Sequence, residues 1–223
     1  MTPADLTHVD TWLFDLDHTL YPEDAGLVPL VEARMNAFIM KRLGLSEAEA
    51  QALRDRYFEE MGATLAGLRH HHGVDGHEYL EDVHEVPLDA LVPEPALRAG
   101  LQRLPGRRLV FTNAGGSYAH RVLRKLGIDD LFDDVFHLGL ADYIPKPQRA
   151  SFEALLAAHA VVPERTCFFE DMARNLAPAA ELGMTTVLVG ARALESEASF
   201  VHHRTATLAD FLAQVRVQES RLP

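Results

Sequence analysis

Cysteine is almost absent: Cys167 is the only one in 223 residues. No intrachain disulfide can form, and a reducing cytoplasm is the expected compartment. Long apolar runs are missing too. None approaches the ~20 residues of a membrane-spanning helix. The opening Met1-Thr2-Pro3-Ala4-Asp5-Leu6-Thr7-His8 lacks the basic and apolar segments of a secretory signal, so a cytosolic protein is expected. Basic residues are outnumbered, with 21 Lys and Arg against 33 Asp and Glu and a net charge of −12 with His neutral. A field of that sign repels a nucleic-acid backbone and an anionic membrane, so neither is expected as a partner. No internal repeat or low-complexity segment occurs. The balance, 48% hydrophobic and 24% charged, is that of a globular protein with one large domain, or a core plus a smaller one.

Five short apolar runs read as strands: 11–15, 108–112, 134–137, 166–170 and 186–189. Most are near-continuously hydrophobic, as strands of a parallel sheet covered on both faces must be. Helical patterns separate the later ones. Residues 117–126 stop at Gly127. Residues 151–160 carry Phe152, Leu155, Leu156 and His159 at i, i+3, i+4, i+7 spacing. Residues 178–182 place Pro178 in a first turn and Gly183 as terminator. This alternation predicts a doubly wound α/β core with a five-stranded parallel, Rossmann-like sheet.

Residues 21–95 break the alternation and read as helices only. Leu27, Leu30, Val31, Met35, Phe38 and Ile39 form one stripe ended by Gly44. Ser46 with Glu49, and Asp75 with Glu78, have the spacing of capping boxes that open two further helices. Pro93 and Pro95 mark the return to the sheet. The expected division is therefore a discontinuous core, 1–20 and 96–223, with a helical module at 21–95.

Four strand tips carry the chemistry. Asp15 and Asp17 follow the first apolar strand, where open α/β sheets place their ligands; alone, they read equally well as turn or N-cap residues. Thr112-Asn113-Ala114-Gly115-Gly116 presents a hydroxyl, an amide and backbone N–H groups suited to an oxyanion, although Thr112 capping a helix is the plainer reading. Lys146 precedes the amphipathic helix and can screen phosphate, or be a solvated surface lysine. Glu170 and Asp171 end another apolar strand, a poor place for charge without a hard cation; the plainer reading is an N-cap at Asp171. Each plain reading stands alone. All four, in order and each at a strand end, do not.

The set resembles the haloacid dehalogenase superfamily: a D-x-D-x-T segment, a strand-two Thr, an isolated Lys and an acidic pair, spanning Trp12 to about Val189. The helices after the first motif are like its C1-type cap. Asp15-Leu16-Asp17-His18-Thr19-Leu20-Tyr21-Pro22, Phe111-Thr112-Asn113-Ala114 and Phe168-Phe169-Glu170-Asp171-Met172-Ala173-Arg174-Asn175-Leu176 are similar to pyrimidine 5′-nucleotidases of the yeast and plant type. So is Gly62-Ala63-Thr64-Leu65-Ala66-Gly67-Leu68-Arg69 with the histidines after it. Those proteins more often have Asn at the position of His18 and Asp at that of Glu170. The first change leaves a side chain that need not face the metal; the second shifts an acid by one methylene.

The resemblance implies a mechanism. Asp15 attacks phosphorus and forms an aspartyl-phosphate, while Asp17 protonates the leaving alcohol and then activates water. Mg²⁺ is held by the Asp15 carboxylate, the Asp17 backbone carbonyl and Asp171. Thr112, the Asn113 N–H and Lys146 bind the phosphate oxygens, and Glu170 orients water or Lys146. Thr64, Arg69 and His71 are candidate contacts to substrate from the cap. Dehalogenases of the superfamily lack an acid at the place of Asp17, which favours a phosphatase.

The expected function is then a Mg²⁺-dependent phosphomonoester hydrolase acting on a small phosphorylated metabolite, a nucleoside 5′-monophosphate first and a sugar phosphate as the alternative. The protein would act as a monomer or homodimer. A haloacid dehalogenase ranks lower. A non-catalytic binding protein would show loss of Asp15, Asp17, Lys146 or Asp171, and none is missing. Histidines 70–72 and 77 read as polar loop or rim, and Cys167, Trp12 and Phe14 as core.

Overall fold

The computed structural model describes residues 3–218. Its centre is one parallel sheet in the order β3-β2-β1-β4-β5-β6, built from β1 (Thr11–Phe14), β2 (Arg107–Phe111), β3 (Asp134–Phe136), β4 (Thr166–Glu170), β5 (Thr185–Val189) and β6 (His203–Thr205). Side chains alternate across it. Trp12, Phe14, Val110, Cys167 and Phe169 enter one apolar layer, and Leu13, Leu109, Phe111 and Phe168 enter the other. Both faces are therefore buried, which is why these strands carry no polar alternation. Phe14 and Phe169, level across β1 and β4, stack at 4.8 Å. Trp12 satisfies its one donor on the Pro105 carbonyl at 2.7 Å.

Two helices from the latter half, α7 (Arg149–His159) and α8 (Ala173–Glu181), bury Phe152, Leu155, Leu176 and Ala179 in the second layer. The other layer is closed by α5 (Pro95–Gln102), α6 (Gly116–Leu126) and α9 (Leu208–Gln214), through Leu97, Leu101, Val122 and Leu212. The doubly wound α/β architecture is as the sequence predicts, with two differences. A sixth strand, β6, pairs with β5 at the edge; its His203-Arg204-Thr205 offers no apolar run to read. Pro178 lies inside α8 rather than in its first turn, because the helix starts five residues earlier at Ala173, where β4 has just ended.

Between β1 and β2 the chain forms α1 (Leu27–Leu43), α2 (Glu47–Met61), α3 (Thr64–His72) and α4 (Gly76–Val83). The stripe on α1 buries Leu27, Val31, Phe38 and Ile39, while Leu30 is exposed. The backbone N–H of Ser46 donates to the Glu49 carboxylate at 2.9 Å, and the Glu78 N–H donates to Asp75 at 2.8 Å, so both sequence caps start the helices they announce. This insert sits on the sheet's carboxyl edge. Gly62, at φ +86°, is where it touches down: a Cβ there would lie 2.7 Å from the Lys146 carbonyl oxygen. Gln148 donates to the Met61 carbonyl at 3.1 Å, and the Arg174 guanidinium lies 4.2 Å from the Phe58 ring centre.

Candidate active site

Parallel register sets the site. Phe14 is level with Val110 and Phe169, so Asp15 emerges beside the ends of β2 and β4, and its N–H still donates to the Phe169 carbonyl at 2.9 Å. Thr112 follows β2 in the same way, with its N–H on the Phe136 carbonyl at 3.0 Å. Its hydroxyl accepts from the Ala114 N–H at 3.0 Å and turns the chain, while the helix itself starts later, after Gly115. Asp15, Thr112, Lys146 and Glu170 are all buried. Three strand ends, at Asp15, Thr112 and Glu170 with Asp171, line one cavity of about 380 Å³ together with Asp17 and Asn113, while Lys146, expected at a strand end, enters it from the loop ten residues beyond β3.

Lys146 organises this group. Its Nζ donates to Asp15 Oδ1 at 2.7 Å, to the Phe111 carbonyl at 2.9 Å and to Glu170 Oε1 at 3.1 Å, which uses all three protons. Burial pulls its pKa down, but the Asp15 and Glu170 charges outweigh it and leave the ammonium above its usual range. Burial pushes Asp15 up to about 7 against the pull of Lys146, and does the same to Glu170, also to about 7. Two side chains hold this arrangement: that of Asn113, which the sequence offered only for its backbone N–H, and that of Asn175, which it did not announce. Asn113 clamps the Lys146 peptide in both directions, accepting from its N–H at 2.8 Å and donating to its carbonyl at 3.1 Å. Asn175, one turn into α8, donates to Glu170 Oε1, while the Met172 N–H donates to Oε2. The sequence reading starts this helix at Pro178, three residues past Asn175, so no helical face marked Asn175 there.

Asp171 is half-buried and faces His18, whose Nδ1 is 3.6 Å from its Oδ2. The side chain at position 18, read from the sequence as one that need not face the metal, stands beside an acid of the site. Its backbone is left-handed, φ 61°, a conformation that His and Asn enter more readily than most residues. The neighbouring Asp171 carboxylate raises the imidazole pKa, against the opposing effect of burial. Asp17 accepts hydrogen bonds from two buried phenols, Tyr21 and Tyr118.

Carboxylate oxygens of Asp15, Glu170 and Asp171 come within 4.8 Å of one another. Three carboxyl groups crowd one ammonium, the Asp171 pKa is raised by burial as the other two are, and an all-oxygen donor set of this kind fits a hard divalent cation. Glu170 already spends both oxygens on protein donors. Asp15 and Asp171 are freer.

The insert supplies the far wall: Val28, Val31 and Met35 from α1, Arg54 and Phe58 from α2, and Thr64 at the start of α3. Of the three candidate contacts there, Thr64 lines the cavity, with its hydroxyl donating to the Arg54 carbonyl at 3.1 Å. Arg69 and His71 do not reach it. The Arg69 guanidinium lies over the Tyr143 ring at 4.1 Å, and exposed His71 stacks on Tyr57 at 5.3 Å. They lie five and seven residues beyond Thr64, one to two turns further along the helix.

A family model described as haloacid dehalogenase-like hydrolase matches residues 9–183. Phosphate metabolism protein 8 of Saccharomyces cerevisiae is 29% identical over 195 residues, covering 79% of this chain and 60% of that relative, so the chain spans about three-fifths of its length. L-2-haloacid dehalogenase from Xanthobacter autotrophicus superposes with a TM-score of 0.57 at 17% identity, over 92% of this chain and 97% of that one. A HAD phosphatase from Thermococcus onnurineus gives 0.59 at 22% identity, over 94% and 100%. At such identities the likeness establishes the fold. The fold does not choose between the two chemistries.

Proposed function

Since the chain belongs to the haloacid dehalogenase-like hydrolase family, we propose that it is a phosphatase that hydrolyses small phosphomonoesters, nucleoside 5′-monophosphates foremost, through an aspartyl-phosphate on Asp15. One observation carries the choice of reaction: a second carboxylic acid, Asp17, lines the same cavity as Asp15. Displacing halide from carbon needs no proton donor, whereas expelling an alkoxide from phosphorus does.

In this reading an Asp15 oxygen attacks phosphorus, the bond to the leaving oxygen breaks, and Asp17 supplies the proton that makes the alcohol. Water then attacks the phosphoaspartate, gives its proton to Asp17, and frees inorganic phosphate and Asp15. Lys146 holds the nucleophile and meets charge on the equatorial oxygens, helped by the Thr112 hydroxyl and the Asn113 N–H. Asp15, Asp171 and the Asp17 carbonyl would hold Mg²⁺, with Glu170 and Asn175 keeping Lys146 and the turn in place. When bound, the ion supplies positive charge that offsets repulsion between the substrate phosphate and the carboxylates.

Helices α1–α4, within residues 21–95, form the cap over this crevice in the same reading. Their apolar wall of Val28, Val31, Met35 and Phe58, broken by Arg54 and Thr64, suits a ring with a few polar edges lying beyond the phosphate. Together with the motif resemblance, that supports a nucleotide.

The test is phosphate release from UMP, CMP, AMP and sugar phosphates, with Mg²⁺ and after chelation. Pyrimidine monophosphates are expected to lead, and activity to vanish with EDTA and return with Mg²⁺. A sugar phosphate outranking every nucleotide would remove the substrate claim. Full turnover in EDTA would remove the metal.

A further inference from the structure

Asp17 is held by two buried hydroxyls. Tyr21, four residues after it, and Tyr118, on α6, both donate a hydroxyl proton to its Oδ1, the latter at 3.0 Å. Both tyrosines are buried. The two phenol oxygens approach to 3.3 Å; with each single proton spent on Asp17, that approach is packing. A phenol keeps its proton at neutral pH, so both remain donors. Their rings cannot swing freely. Tyr118 stacks on His84 from the end of α4, ring centres 4.5 Å apart, and Tyr21 meets His18 edge-on at 6.2 Å. His84 is itself tied by Nδ1–H to the Leu80 carbonyl at 2.9 Å.

Oδ1 therefore carries two donors, while no described residue donates to Oδ2. We propose that Tyr21 and Tyr118 are positioning residues that dock Oδ1 of Asp17 and dedicate Oδ2 to the proton passed to the leaving oxygen. Because the Tyr118 ring is backed by His84 from the insert, the posture of the acid depends on how the helices are seated. This rests on the phosphatase reading above and adds to it the atom that acts and the residues that select it.

A merely structural pair of tyrosines would slow all substrates alike. A positioning pair matters only where a proton must be delivered. The experiment compares kcat/KM for an alkyl phosphomonoester, whose alkoxide must be protonated, with 2,4-dinitrophenyl phosphate, whose stable phenolate leaves unaided. Because kcat/KM reports steps up to the first irreversible one, the later activation of water by Asp17 does not enter. Tyr21→Phe and Tyr118→Phe keep the rings and delete the donors. Each is expected to shift the alkyl-to-dinitrophenyl ratio about 10-fold against the alkyl ester, and the double variant about 100-fold, inside the 10²–10⁴ that a general acid contributes. In an Asp17→Asn background neither substitution should shift the ratio further, since the residue they position is gone.

An unshifted ratio, with or without loss of overall rate, overturns the inference. So does a shift in favour of the alkyl ester, which would mean that the tyrosines restrain Asp17. If the unaltered protein cleaves neither ester, the phosphatase reading falls and takes the inference with it. If it cleaves both and the ratio stays put, only the inference falls.

Discussion

Lys146 in the loop before α7 and Arg54 in the helical insert are cations facing the same cavity, and they are held differently. Lys146 is 1% exposed and spends every proton on buried acceptors at 2.7–3.1 Å. The Arg54 side chain is 11% exposed; it leans on Asp55, itself 52% exposed, and reaches the Glu32 carbonyl and Asn36 only at 3.4 and 3.3 Å. A buried ammonium between two buried carboxylates is preorganised: nothing has to reorient when charge develops nearby. The Arg54 guanidinium has two short contacts, at 2.9 and 2.8 Å, but both are to the half-exposed Asp55 carboxylate, and such a solvent-facing pair exchanges its bonds for a ligand's at little cost. One region fixes where bonds break. The other leaves room for what is attached to the phosphorus.

The contrast can be broken most severely at Asp15. Asp15→Asn removes the nucleophile and should cut phosphate release by at least about 10⁴-fold, with the circular-dichroism spectrum of the folded protein retained. Unimpaired turnover would place the chemistry elsewhere. Lys146→Met comes next, because it affects fold and rate together. It strands Asp15 and Glu170 as buried carboxylates without their ammonium, a loss of about 3–5 kcal/mol for a broken buried pair, read by urea unfolding. The rate should fall about 10²–10³-fold. A stability change near zero would show that the cluster is better solvated than its burial indicates.

The joint between the two regions gives a smaller, pH-dependent effect. His84 is buried at the end of α4, and burial lowers its pKa below the usual 6.5 although Asp17 and Glu81 pull it up; Arg121 works with burial. The unfolded chain therefore binds a proton there before the folded one does. Stability from this group is complete above pH 6.5 and is lost as pH falls below it, by up to about 1.4 kcal/mol per pH unit until the folded ring protonates. His84→Phe, which keeps a ring against Tyr118, should flatten that limb of a stability–pH profile. Slopes identical to wild type would mean that His84 protonates freely in the folded state. Smallest of all is Arg69→Ala: loss of its contact with Tyr143 should cost about 0.5–1 kcal/mol in urea unfolding with kcat/KM for nucleotides unchanged. A change in substrate ranking would show that α3 reaches further into the cavity than Thr64.

Legibility followed the same division. At the strand ends a residue's place in the chain is almost its place in the fold: a continuous apolar run makes a buried parallel strand, and whatever follows it sits on the carboxyl edge. Asp15, Thr112, Glu170 and Asp171 could be placed by that rule alone, and Lys146 by its position just before a helix. In the insert the rule has no counterpart. Ser46 and Asp75 announced where helices begin, because capping is local, but nothing local told which turn of α3 faces the cavity, and Arg69 and His71 proved to lie beyond it.

The amino-acid order by itself determined the parallel core, the helical insertion after β1, and the three chemically loaded strand ends, since each follows from hydrophobic period, caps and turns acting over a few residues. Tertiary structure alone decided that Asn113 clamps Lys146, that Asn175 holds Glu170, that His18 faces Asp171, and that Tyr118 meets Asp17 across 101 positions. It also added the short polar edge strand at 203–205. These pairings depend on how helices seat against a sheet, and the energies that choose them are sums over contacts far apart in the chain, which no local pattern records.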